Sequence, residues 1–280
     1  MIATVVGTGL IGGSLALSLK KLGIAEQIIG VESNSENADI AVELGLVEET
    51  TTLEKAMERS TLIVLAIPVN AIPMVAVKAL NRVTDRQVVI DMGSTKGELC
   101  EVISQHPRRS RFVATHPMWG TEYSGPRAAV DDGFSGRTVV ICEKERSAPD
   151  ALQMVEDMYR ALEMPIKYME AGEHDVHAAY VSHISHITSF ALALTVLEKE
   201  LEEDHILDLA GGGFESTVRL AKSSPAMWTP IFMQNKYNVL DVLREHIHQL
   251  QVLRRMIEKD DVAGLTKAMQ KANEIRRIIH

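Results

Sequence analysis

Close to its start the chain carries a run spaced like a phosphate-binding turn, Gly7-Thr8-Gly9-Leu10-Ile11-Gly12, between the apolar stretch 3–7 and the helical stretch Ser14 to Lys21. Each glycine answers a separate need. Gly7 makes the tight turn, Gly9 lets backbone approach a pyrophosphate, Gly12 lets helix pack on strand, and the helix N-terminus favours the anion. Glu32 closes the next apolar run, 20 residues beyond Gly12. A carboxylate there accepts hydrogen bonds from adenosine ribose hydroxyls and repels a 2′-phosphate, and Ser33-Asn34 offer no arginine to bind one. The pattern predicts a bound dinucleotide, NAD rather than NADP, contacted by Gly7, Gly9, Leu10, Ile11, Gly12 and Glu32. The plainer alternatives are a bare glycine turn and an exposed strand-end acid.

Ligands of open parallel sheets lie beyond the carboxyl ends of the strands, which points to Ser94, Thr95 and Lys96 after QVVIDMG and to His116 at the end of RFVATHP. A histidine there has the pKa range for acid/base work near neutrality; the alternative is a capped strand-end imidazole. Ser94 either orients that imidazole or caps the helix that follows. Further along, Ser182, His186 and Ser189 share one helical face, as ligand-binding groups or as satisfied core polar groups. His174 and His177 point roughly opposite to His183 and His186 on a regular helix, so no metal site is expected. Gly211-Gly212-Gly213 precedes a turn carrying Arg219, suited to clamping a carboxylate or else to pairing with Glu215. Trp228 belongs either to the core or to a contact across a dimer.

Elements of two kinds must hold these groups. Continuous Val- and Ile-rich runs at 3–7, 27–32, 61–68, 87–93, 111–117, 137–143 and 165–170 imply strands buried on both faces, with helices between them. That predicts an α/β fold with an N-terminal doubly wound, Rossmann-type parallel-sheet domain over 1–170. After 170 only helical periodicity remains, predicting an all-α domain over 171–280. Thr229-Pro230 reads as a cap followed by a first-turn proline, opening one helix to Glu258 of roughly 43 Å at 1.5 Å per residue. A domain of that size has a radius of gyration near ~13 Å, so the overhang predicts an intertwined homodimer. The segment 176–197 has no charge and is long enough to cross a bilayer, but its His, Ser and Thr content predicts a helix buried in protein and no membrane contact. A net charge of −9 argues against nucleic acid. Two cysteines in no ligand spacing, and no secretory leader, fit the cytoplasm.

GTGLIGGSLA, DMGSTK, HPMWGTE, SHISH and GGGFESTVRLA followed by MW occur in order across nearly the whole chain. Together they resemble the prephenate/arogenate dehydrogenase family of tyrosine biosynthesis. The resemblance implies NAD-dependent oxidative decarboxylation of prephenate to 4-hydroxyphenylpyruvate. It implies that His116 contacts the substrate's ring hydroxyl, that Ser94 sits between it and the nicotinamide, that His186 and Arg219 bind substrate, and that Ser182, Gly212 and Thr121 line the site. A tryptophan where Trp228 stands comes from the partner subunit in similar proteins. Trp119 and a serine of SHISH depart from the common pattern. No appended tyrosine-sensing or chorismate mutase segment is expected. The alternatives are arogenate as substrate, a β-hydroxyacid dehydrogenase or imine reductase on a similar plan, and a non-catalytic NAD-sensing protein.

Overall fold

The structure, a computed structural model, describes every residue except Asp204, Ile279 and His280, so the last two positions of the expected helical half lie outside the described residues. Eight strands, β1 (Ile2–Val6), β2 (Gln27–Val31), β3 (Glu49–Thr50), β4 (Leu62–Leu65), β5 (Val88–Asp91), β6 (Phe112–Pro117), β7 (Val139–Cys142) and β8 (Ile166–Met169), form one sheet in the order β3-β2-β1-β4-β5-β6-β7-β8. The helices among them are α1 (Leu10–Lys21), α2 (Ser35–Glu43), α3 (Leu53–Met57), α4 (Ile72–Leu80), α5 (Gly97–Ile103) and α6 (Pro149–Ala161). Beyond β8 follow α7 (Ala171–Ala178), α8 (Ile184–Glu200), α9 (Gly212–Val218), α10 (Pro225–Gln234), α11 (Lys236–Glu258) and α12 (Val262–Ala272), with no further strand among the described residues. The chain forms two compact units, Met1–Lys236 and Tyr237–His280.

Alternate residues of the central strands feed opposite faces of the sheet, which is why the apolar runs are continuous. Leu62 and Val64 pack in the cluster with Leu15 of α1 and Val155 of α6, whereas Ile63 and Leu65 pack in the one with Ala76 of α4, Leu99 of α5 and Ile231 of α10. Asn34 caps α2 by accepting from Asn37 N at 2.9 Å, and Gly45 ends the segment at φ +66°.

Four expectations need correction. One pairing, β6 with β7, is antiparallel, because residues 118–138 contain no α-helix to carry the chain back across a face and it re-enters from the same end. Continuous burial does not reveal strand direction. The expected helix from Pro230 is instead two helices: Pro225 takes the first turn of α10, Pro230 lies inside it, and the chain turns at Asn235 before α11, which spans roughly 35 Å at 1.5 Å per residue. The uncharged helix is not buried, for Val181, Leu194 and Leu197 are exposed, and Ala171–Glu200 remains long and apolar enough to cross a membrane by length and composition. A π turn at Ala179–His183 rewinds that helix, so His174 and His183 are both buried although regular spacing would set them on opposite faces.

Candidate active site

The strand order reverses beside β1, the place where an open α/β sheet leaves a crevice for ligand. Gly7 turns the chain there at φ +89°, and a Cβ on it would lie 2.4 Å from Ala66 O; one on Gly12 would lie 2.0 Å from Gly7 O. Gly9 differs: a Cβ there would come no closer than 3.9 Å to Gly125 N. The packing of the protein itself does not require glycine at Gly9, and the backbone there stays open. Leu10 and Ile11 are half-buried in the first turn of α1, whose N-terminus has no side-chain cap. Glu32 is bound to the same loop: Thr8 N and Thr8 Oγ1 donate to Oε2 at 3.1 and 3.2 Å, while Ser33 N and Asn34 N donate to Oε1 at 2.9 and 3.1 Å. Glycine clearance, open helix donors and a fixed carboxylate fit a dinucleotide.

The segment after His116 returns to this loop, a Cβ on Gly120 lying 4.0 Å from Ile11 Cδ1. At the ends of β5 and β6, Asp91 is fully buried and paired with Lys96 Nζ, also fully buried, while Thr115 N donates to its Oδ1 at 3.1 Å. The Thr115 bond ties the two strand ends together beside His116, and Lys96 neutralises the carboxylate that accepts it. The His116 imidazole is 8% exposed, and burial, followed by the neighbouring His174 and Lys96, holds its pKa well below the usual histidine value. The imidazole is therefore neutral at physiological pH. Its Nδ1 lies 2.8 Å from His174 Nε2, and His174 Nδ1 lies 2.8 Å from Asp175 Oδ1. Asp175 also accepts from Lys96 N and Gly97 N, both at 2.8 Å, and so caps α5. Ser94 neither caps α5 nor bonds to His116; it is half-buried just past the end of β5.

Sequence reasoning weighed His174 only as a metal ligand and missed its pairing with His116, 58 positions away, and missed Asp175, whose partner Lys96 lies 79 positions away. Asp91 was more accessible to it, since an acid ending a fully apolar strand requires a cation and Lys96 is the first one downstream.

On the helical side, Ser182 and His186 are half-buried and His186 Nδ1 lies 3.1 Å from Ser182 O. Ser189 is a satisfied core hydroxyl, donating to Thr217 O and accepting from Ala221 N. Trp228 is buried and stacked on His186 of its own chain, with centroids 3.4 Å apart at 24°. Arg219 pairs with Glu122 at 2.8 Å rather than with Glu215. Thr121 is exposed next to that pair, its Oγ1 accepting from Tyr123 N at 3.3 Å. Gly212 opens α9 with no atom within 4 Å of where a Cβ would stand.

Two family models match the chain, prephenate dehydrogenase, nucleotide-binding domain, over residues 15–167 and prephenate dehydrogenase, dimerization domain, over 170–271. The prephenate dehydrogenase of Bacillus subtilis is 29% identical over 96% of this chain and 74% of its own length. The crystal structure of Aquifex aeolicus prephenate dehydrogenase in complex with hydroxyphenyl propionate and NAD+ is 30% identical, with a TM-score of 0.91 over 100% of this chain and 98% of that one. Synechocystis arogenate dehydrogenase is 27% identical, with a TM-score of 0.78 over 99% of each chain.

Proposed function

The chain belongs to the prephenate dehydrogenase family, and from that membership we infer that it catalyses NAD-dependent oxidative decarboxylation of prephenate to 4-hydroxyphenylpyruvate, CO2 and NADH. The observation that carries the reading is His116, a buried neutral imidazole at a strand end whose following segment comes close to the first turn of α1. A sensor that only bound NAD would need no such base.

Gly7, Gly9, Leu10, Ile11, Gly12 and Glu32 hold the dinucleotide, with Glu32 selecting NAD through the ribose. NAD, when bound, supplies the hydride acceptor. The remaining steps fall to the chain's own residues. His116 accepts the proton of the ring hydroxyl as the carbinol carbon is oxidised, a contribution of ~10²–10⁴ in rate. Ser94, at the neighbouring strand end, lies between that imidazole and the nicotinamide. Arg219 supplies a cation for a carboxylate of the dianionic substrate, with His186, Ser182, Gly212, Thr121 and Trp228 lining the rest. Departure of the ring carboxylate as CO2 is driven by aromatisation. Arogenate carries an ammonium group, and Glu122, the acid in the segment after His116, is already engaged by Arg219.

The division into an NAD-binding domain over 1–170 and a substrate and dimerisation domain over 171–280 is supported by the two family matches, which meet between 167 and 170. Val181 in the π turn and Leu194 and Leu197 of α8, all exposed, give a homodimer apolar surface to bury. Buried free thiols at Cys100 and Cys142 suit the cytoplasm, and the net charge of −9 disfavours nucleic acid. The test is NADH formation with prephenate and with arogenate, each with NAD and with NADP. Turnover of prephenate with NAD supports the reading; preference for arogenate moves the specificity, and turnover of neither overturns it.

A further inference from the structure

We propose that His174 and Asp175 are positioning residues that fix the proton of His116 on Nδ1 and leave its Nε2 as a free acceptor. Lys96 N and Gly97 N are backbone donors with no alternative role, and they fill Asp175 Oδ1 and Oδ2 at 2.8 Å each. A proton on either oxygen would face one of these N–H groups, so the carboxylate is ionised and accepts only. His174 Nδ1, 2.8 Å from Oδ1, must therefore donate. Neutral imidazole carries one N–H, which makes His174 Nε2 an acceptor. His116 Nδ1, 2.8 Å from that nitrogen, must in turn donate. His116 Nε2 then holds a lone pair, and it has no hydrogen-bond partner among the described residues. The low pKa of Asp175, to which the His174 and backbone hydrogen bonds contribute against burial, agrees with an ionised carboxylate.

This extends the logic of a carboxylate orienting a histidine by one imidazole. It rests on His116 being the base proposed above. In the reaction the substrate O–H bond breaks and an Nε2–H bond forms on His116, and no other bond at the imidazole need change. The imidazolium so formed donates Nδ1–H to His174, whose own Nδ1–H is held by Asp175. The other charged or titratable groups facing His116 are Lys96, already paired with Asp91, and His183. Neither offers an acceptor to the new cation, which leaves the His174–Asp175 chain as its stabilising partner.

The tautomer is a property of the free protein and can be read without turnover. Ring ¹⁵N–¹H correlation spectra of the histidine-labelled full chain near neutral pH, with His116 assigned by its loss in His116→Asn, should show a proton on Nδ1 and none on Nε2. His174→Leu should lower kcat about 10²-fold or more while the KM for NAD stays unchanged. His174→Gln, whose amide oxygen can accept from His116 Nδ1, should recover most of that loss. A proton on Nε2 of His116 in the wild type, or wild-type kcat in a folded His174→Leu, would overturn the proposal. Should His174→Leu fail to fold, the wild-type spectrum and the glutamine variant decide. An Nδ1-protonated His116 in a protein that does not turn over prephenate would support the tautomer assignment and sink the functional reading alone.

Discussion

Arg219 Nη1 donates to Glu122 Oε2 at 2.8 Å, joining the segment that follows His116 to the turn that follows the triple glycine. Glu122 is the more enclosed partner, its side chain 15% exposed against 49% for Arg219. The guanidinium keeps Nε and Nη2 uncommitted among the described residues, so it can face a substrate carboxylate while Glu122 holds it in place.

Arg219→Ala should therefore act on binding. Loss of one charge-assisted contact corresponds to about 1.5–3 kcal/mol, or roughly 10–100-fold in the KM for prephenate, with kcat little changed. Steady-state kinetics at saturating NAD measure it. An unchanged KM would make the Glu122 pair purely structural.

Gly9 and Gly12 should fail in different ways. Gly9→Ala adds a methyl with 3.9 Å of clearance at φ −74°, so its melting temperature should match wild type while NAD affinity falls. Gly12→Ala places that methyl 2.0 Å from Gly7 O and should destabilise the fold. Thermal unfolding and NAD titration of both variants separate the effects; equal loss of stability in both would remove Gly9 from ligand contact.

Acid sensitivity should trace to buried neutral histidines. Burial pushes the His183 pKa down to about 4 from 6.5. Between these values the unfolded chain binds a proton that the folded chain refuses, so stability is intact above pH 6.5 and falls as pH drops toward 4, by up to roughly 3 kcal/mol. Denaturant unfolding across that range should show the decline in wild type and a shallower one in His183→Gln. Identical slopes would contradict the assignment.

The sheet was readable because β1, β2 and β4 to β7 are buried on both faces and appear as unbroken Val and Ile runs. β3 escaped because two residues, Glu49–Thr50, carry no pattern. The break at Asn235 escaped because Pro230 mimics a helix start, and a proline in a first turn resembles one farther inside until the true start at Pro225 is known. The glycine loop and Glu32 were legible because their spacing is local. The His116–His174–Asp175 chain was not, since it is assembled by the packing of α7 against the ends of β6 and α5, far apart in sequence.

The measurement that bears most directly on the account is prephenate-dependent NADH formation by wild type and His116→Asn, with NAD binding titrated for both. Wild type should turn over and the variant should lose ~10²–10⁴ in kcat while binding NAD as wild type does. Wild-type-like turnover in His116→Asn would remove this histidine from the chemistry and contradict the account.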